Sequence, residues 1–284
     1  MWLQQTGRRN VMVHIVQRSG QLYPVNWLRN LVIRNASTEY ILMNDADFIP
    51  SKNLMSSLQK HFSQLRSAGL DETHAVIVPA FEMLTYTANF PANKRDVIAQ
   101  EGQGQLDVFH RKWHPAGHRI WQYDKWKMTN SSYKLPKERV CSEPEPYVAV
   151  KTSISPYFPE VLLERGKNKV AYHFELCIKD FQFVVLADGF LVHKMHAQSA
   201  QAGTRVDRCV VEAWAHYRTH LAREQGKSSL YKSSIPPFLF NVLYVLLCIL
   251  LEVPWLLLLG SPLLMFIGSR KLTLLRQVFR DCRK

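Results

Sequence analysis

With 284 residues, 47% of them hydrophobic, the chain is long enough to bury the core of one large domain or of two small ones. Its formal net charge is +13, but the basic residues are scattered and accompany no nucleic-acid-binding motif, so the charge points to anionic ligands of another kind. The five cysteines (Cys141, Cys177, Cys209, Cys248 and Cys282) have no Cys-x-x-Cys spacing, which argues against a zinc site, and their odd number leaves at least one unpaired.

Residues 1–10 are polar and basic and carry no apolar stretch of the signal-peptide kind. Val11-Met12-Val13-His14-Ile15-Val16 predicts a short buried strand. Tyr23 to Asn35 predicts a helix, with Pro24 near its first turn and Trp27, Leu28, Leu31 and Val32 on one face. Tyr40-Ile41-Leu42-Met43 is an apolar run that reads as a buried strand, and it gives out at Asn44-Asp45-Ala46-Asp47. Asp is a poor strand residue, so the pair marks the strand's end or a tight loop beyond it. On an extended chain, side chains at i and i+2 point the same way, so Asp45 and Asp47 are expected to converge on one cation. Carboxylates of this kind suit Mg²⁺ or Mn²⁺. Pro50 should stop further strand pairing.

Leu54 to Leu65 predicts a helix with Leu54, Leu58, Phe62 and Leu65 on one stripe. Ala75 to Pro79 reads as a buried strand, and Asn93 to Gln105 as helical in its middle. Phe109 to Tyr133 is rich in rings: His110, Trp113, His114, His118, Trp121, Tyr123 and Trp126. Such a stretch suits stacking against sugar faces, or packs as an irregular segment of the core. Val148 to Val150 and Phe183 to Leu186 read as strands, and Ala202 to Glu224 as a surface helix. Phe238 to Leu259 is a run of 22 residues with one ionisable side chain, Glu252, and one proline, Pro254. That is long enough to span a bilayer, as one span or within a hairpin that continues through Pro262 to Ile267. The basic residues that follow, Arg270, Lys271, Arg276, Arg280, Arg283 and Lys284, put that end in the cytoplasm for a single span. Asn35-Ala36-Ser37 and Asn130-Ser131-Ser132 are glycosylation sequons if the domain is lumenal.

Several stretches together carry a resemblance. They are Tyr23-Pro24-Val25-Asn26 with Leu28-Arg29-Asn30, Asp45-x-Asp47-Phe48-x-Pro50, Val78-Pro79-Ala80-Phe81-Glu82, Glu145-Pro146-Tyr147-Val148, Asn168-Lys169-Val170-Ala171, Glu175-Leu176, and Val192-His193-x-x-His196-Ala197. In this order, over about two thirds of the chain, they resemble glycosyltransferase family 49, whose catalytic domains are LARGE-like glucuronyltransferases. The resemblance implies an α/β fold of the GT-A, Rossmann-like type over residues 10–225. A linker (226–236), a transmembrane or membrane-embedded segment (237–268) and a basic tail (269–284) would follow. A GT-A domain ordinarily opens with a strand, a helix and a further strand before its Asp-x-Asp. Only 44 residues precede Asp45, so the nucleotide-binding half is expected to be N-terminally incomplete.

The same resemblance implies Mn²⁺ as cofactor and a UDP-sugar as donor. The reaction would be an inverting transfer of glucuronic acid from UDP-glucuronate to xylose of an O-glycan on a glycoprotein, such as α-dystroglycan. Asp45, Asp47 and His193 would hold the metal, with His196 the rival of His193. Arg29, Asn30, Asp45 and Lys169 would meet the donor, and Glu175 would be the base, with Glu82 and Glu145 as alternatives. The implied location is the Golgi membrane with the catalytic domain lumenal. Two other readings keep the fold: a non-catalytic, membrane-tethered partner of a full-length enzyme, and transfer of N-acetylglucosamine.

Overall fold

The computed structural model describes residues 10–17, 22–70, 73–141, 144–164, 166–197 and 208–226. Its elements are α1 (Val25–Arg34), β1 (Tyr40–Leu42), β2 (Phe48–Pro50), α2 (Leu54–Ser67), β3 (His74–Val78), β4 (Ala80–Met83), α3 (Lys94–Gly102), β5 (Leu106–Val108), α4 (Tyr123–Met128), β6 (Tyr133–Lys134), α5 (Lys137–Val140), β7 (Tyr147–Lys151), α6 (Asn168–Ile178), β8 (Gln182–Val185), β9 (Leu191–His193) and α7 (Arg208–Glu224). The chain divides into two compact units, Met1–Trp214 and Ala215–Lys284. The described part of the second unit is the end of α7, where the Thr219 hydroxyl donates to the Ala215 carbonyl at 2.8 Å.

Two sheets form the first unit. One has the order β1-β7-β3-β8-β6 and the other β2-β9-β4-β5. The chain passes from the first sheet to the second three times: β1 to β2 through Asp45 and Asp47, β3 to β4 at Pro79, and β8 to β9 at Asp188-Gly189. Pro79 suits such a crossing because it has no N–H to leave unpaired. Gly189 has φ +115°, and a Cβ there would lie 3.2 Å from the Leu54 Cα, so the close turn requires glycine. β3 and β8 run parallel, as do β4 and β9, so the two later crossings lie side by side. The first crossing reaches them when β2 pairs with β9, Phe48 opposite His193.

Alternation along the strands splits the core into two layers. Ala75, Ile77, Val148 and Val150 face a layer that includes Tyr172, Leu176 and Cys177 of α6. Val76, Val78 and Ala149 face the other, closed by Leu54, Leu58, Phe62 and Leu65 of α2. Those four side chains are the stripe read from the sequence, and all are buried.

Several expectations are corrected. Val11 to Val16 forms no strand and is exposed, Ile15 by 93%, because none of its backbone enters either sheet. α1 turns a different face inward than the apolar spacing implied. Asn26, Asn30 and Ile33 are buried, while Trp27 and Val32 are 37% and 50% exposed. Carbonyl groups of the 158–162 loop decide this: the Asn26 amide donates to Pro159 and Leu162, and the Asn30 amide to Phe158. Pro50 ends β2 as expected, its own position pairing with Leu191. Most rings of Phe109 to Tyr133 pack inward, Trp121 and Trp126 among them, whereas Trp113 is 74% exposed. Cys141 and Cys177 form a disulfide between the end of α5 and α6. Among the described residues no helix is long and apolar enough to cross a membrane. The segment read as membrane-embedded, Phe238 to Leu259 and onward, lies outside the described residues.

Candidate active site

The site forms where β1 crosses to β2. Residues 45–48 make a turn into β2, closed by Phe48 N donating to the Asp45 carbonyl at 3.3 Å. The two carboxylates meet different hydrogen-bonding partners while lining one cleft. Asp45 faces α6 and β7: Lys169 Nζ donates to its Oδ2 at 2.8 Å and the Tyr147 hydroxyl at 2.7 Å. Lys169 Nζ also donates to the Tyr147 oxygen at 3.0 Å and lies 4.4 Å over that ring. Arg29 of α1 stands 3.7 Å from Asp45 Oδ1, its guanidinium 5.0 Å over the Phe158 ring. Burial pushes the Asp45 carboxyl up, but Lys169, Tyr147 and Arg29 outweigh it and hold the group below the usual carboxylate range. Burial, then the Asp45 charge, pushes Tyr147 far up, so its hydroxyl keeps its proton.

Asp47 meets the end of β9. Lys194 N donates to the Asp47 carbonyl at 2.9 Å, which ties the turn to the end of β9. His193 Nε2 and His196 Nε2 each lie 3.2 Å from Asp47 Oδ2. One atom from each of the three residues falls within 4.8 Å of the others. The His196 Nδ1–H donates to the Ala197 carbonyl at 2.9 Å, which directs the Nε2 position at the carboxylate. Asp47 Oδ1 is buried without a partner among the described residues. Burial lowers His193, against the pull of Asp47, while hydrogen bonds to Ala197 and Asp47 raise His196. One carboxylate and two imidazoles directed at a common point are a donor set that fits a divalent transition metal such as Mn²⁺ or Zn²⁺.

Of the residues singled out in the sequence, Asp47 and His193 come together, and His196 joins them as a third donor. Asp45, Lys169 and Arg29 form the adjoining cluster, and Asp45 is not among the three donors. A cleft of about 600 Å³ opens beside both clusters. It is lined by Tyr23, Leu28, Arg29, Met43, Asn44 and Asp45, with Val25, Val32, Ala46, Asp47 and His196 completing it. Asn30 does not line it: its side chain is fully buried, donating to Phe158 O and Glu160 Oε1 and accepting from Phe158 N. Glu175 does not line it either, and sits in α6 with 9% exposure. Glu82 accepts from His110 N at 3.2 Å and pairs across the strands with His193. Tyr147 was missed as a site residue. Its signal was its place in the Glu145-Pro146-Tyr147 stretch, where nothing local shows that the ring reaches a turn about a hundred positions earlier.

Comparison with known proteins gives the family. The profile of the family described as "Glycosyl-transferase for dystroglycan" matches residues 3–224. The chain belongs to this family. It is similar to the xylosyl- and glucuronyltransferase LARGE1 of Homo sapiens, 36% identical over 192 residues, which are 68% of this chain and 25% of that protein. LARGE2s of Danio rerio is 32% identical over 228 residues, 78% of this chain and 30% of that protein. LARGE2 of Rattus norvegicus is 31% identical over 230 residues, 79% of this chain and 33% of that protein. The chain thus spans between a quarter and a third of the length of these relatives. Its mixed α/β architecture of two sheets is compatible with a GT-A-like member of the glycosyltransferase family.

Proposed function

We propose that this chain is a metal-dependent, inverting glycosyltransferase that moves glucuronic acid from UDP-glucuronate to a xylose of an O-glycan such as that on α-dystroglycan. The names of its relatives support glucuronyl transfer, and the family's description supports dystroglycan as the protein that carries the glycan. The observation that carries the reading is the pair of clusters on one turn, a three-donor cation site at Asp47 and two fixed cations at Asp45. Mn²⁺ held by Asp47, His193 and His196 would offset the charge that develops on the departing diphosphate. Lys169 and Arg29, oriented by Asp45, supply positive charge for the diphosphate or the glucuronate carboxylate, and the planar guanidinium suits either. The reading includes a Golgi membrane location with the catalytic part lumenal.

A panel of UDP-sugars with a xyloside acceptor and Mn²⁺ tests the proposal. UDP-glucuronate should be the donor used, and chelation should stop the transfer. Asp47→Asn and His193→Ala should each lower turnover by about 100-fold or more, the scale on which transition-state charge stabilisation is lost. Unaltered turnover in the chelated protein, or in Asp47→Asn, would refute the metal. Use of UDP-N-acetylglucosamine in preference to UDP-glucuronate would replace the donor.

A further inference from the structure

Tyr147 opens β7 opposite Val78 and is 1% exposed, so its ring belongs to the core while its hydroxyl reaches the turn at Asp45. The ring stacks on His118 at 5.2 Å and packs 4.8 Å from Phe48, where the turn enters β2. Enclosure of this kind holds the ring in one rotamer. At its tip, three polar atoms close a triangle. The hydroxyl donates to Asp45 Oδ2 at 2.7 Å, and Lys169 Nζ donates to that same Oδ2 at 2.8 Å and to the Tyr147 oxygen at 3.0 Å. None of the three can turn away without lengthening two sides of the triangle. Lys169 is held further by its seat 4.4 Å over the Tyr147 ring.

The consequence falls on the other carboxylate oxygen. Two donors on Oδ2 set the plane of the Asp45 carboxylate, and Oδ1 then stands 3.7 Å from the Arg29 guanidinium, beyond hydrogen-bond distance. Arg29 Nη1 donates to Asn26 Oδ1 over a long 3.4 Å, and the guanidinium lies 5.0 Å over the Phe158 ring. Charge and stacking thus steer Arg29 without a short bond that an incoming anion would have to break. Arg29 and Asp45 both line the cleft, whereas Tyr147 does not. Asp45 cancels one of the two cations beside it, so the cluster offers the cleft a net positive charge. Tyr147 adds no charge of its own, because burial and the Asp45 carboxylate keep its proton in place.

We propose that Tyr147 is a positioning residue for donor binding: it fixes the Asp45 carboxylate and Lys169, and through Asp45 it presents Arg29 to an anionic group of the nucleotide-sugar donor. This rests on the transferase reading above. Tyr147 itself meets no substrate and is not one of the three metal-type donors. Its effect is preorganisation. With two long, rotamer-rich side chains already held, less entropy is lost in ordering them when the donor binds.

The experiment uses the full chain with Mn²⁺. Tyr147→Phe keeps the ring, with its packing on His118 and Phe48 and its face for Lys169, and removes the hydroxyl alone. Calorimetry should show UDP-glucuronate bound about tenfold more weakly, the scale of one hydrogen bond to a charged group, with Mn²⁺ binding unchanged. The donor KM should rise by the same factor, while kcat and the xyloside KM stay within about twofold of wild type. A merely structural defect would lower the active fraction and leave both KM values alone. UDP and UDP-glucose as further ligands identify the anion. A loss shared by all three puts the diphosphate at Arg29, and a loss confined to UDP-glucuronate puts the carboxylate there. Arg29→Gln should weaken donor binding to a similar degree, and in the double variant the two losses should not multiply, since one residue acts through the other. Wild-type donor affinity in Tyr147→Phe would overturn the proposal, as would losses that multiply. If Tyr147→Phe does not fold, wild-type donor affinity in Arg29→Gln overturns it as well. A wild-type chain that binds UDP-glucuronate but transfers nothing, with losses that do not multiply, would support the positioning role and sink the transferase reading alone.

Discussion

His173 lies in α6 with 1% exposure, its Nε2–H donating to the Val140 carbonyl at 3.0 Å and its Nδ1 without a partner among the described residues. Burial is the main cause that lowers it, from 6.5 to about 4, against the Val140 bond. Burial also depresses His118. The sign follows from proton uptake. Between pH 6.5 and 4 the unfolded chain binds a proton at this residue and the folded chain does not, so stability is full above pH 6.5 and drains away as the pH falls toward 4. For His173 alone the loss is on the order of 3 kcal/mol by the lower end. Thermal melting should show Tm falling from pH 7 to pH 5. His173→Gln, which keeps a donor for Val140, should flatten that slope. An unchanged slope would place the pH response elsewhere.

Among the elements, α6 carries the most. It presents Lys169 to the Asp45 turn, packs Tyr172 and Leu176 into the core, and is bonded through Cys177 to Cys141 beside α5. An ion pair joins Lys137 of α5 to Asp180, two residues past the end of α6. The disulfide closes a separation of 36 residues. On the chain-entropy account, a loop of that size stabilises by about 4 kcal/mol through restriction of the unfolded chain. Replacing both cysteines with serine should lower the urea midpoint accordingly, and dithiothreitol should move the wild type to the same midpoint. If reduced and oxidised wild type unfold together, the bond contributes nothing to stability. Loss of α6 order should also release Lys169, so donor affinity should weaken along with stability.

On the scale of the whole chain, the apolar run from Phe238 to Leu259 follows the catalytic unit. Inserting it costs a few kcal/mol for Glu252 at mid-bilayer, offset by its apolar neighbours. We expect association with membranes that resists carbonate, and its loss when the chain is cut at Ile235. Asn130, exposed on the described surface, should then be glycosylated and Lys284 cytoplasmic. A C-terminal tag protected from protease inside sealed microsomes would reverse the orientation or make the segment a hairpin. A truncated chain that still sediments with membranes would remove its anchoring role.

Periodicity alone determined α2, with its stripe of Leu54, Leu58, Phe62 and Leu65, and the buried strands β3, β7 and β8, because a residue's burial there follows from its place on one regular element. The Asp45–Asp47 turn was legible as the end of an apolar strand, and α6 lay within a stretch that carried the family resemblance. The seating of α1 was not legible, because its inward face is chosen by carbonyl groups of a loop about 130 residues away and apolar spacing cannot express that. Nor were the separate partners of the two carboxylates, because the crossing from one sheet to the other imposes a turn there. The partners that then meet each carboxylate, Tyr147 and Lys169 on one side and His193 and His196 on the other, are brought by strand pairing and helix packing over more than a hundred positions. Residue type and local spacing state what chemistry is available; only the tertiary structure decides which groups share it, since that depends on distances no local pattern encodes.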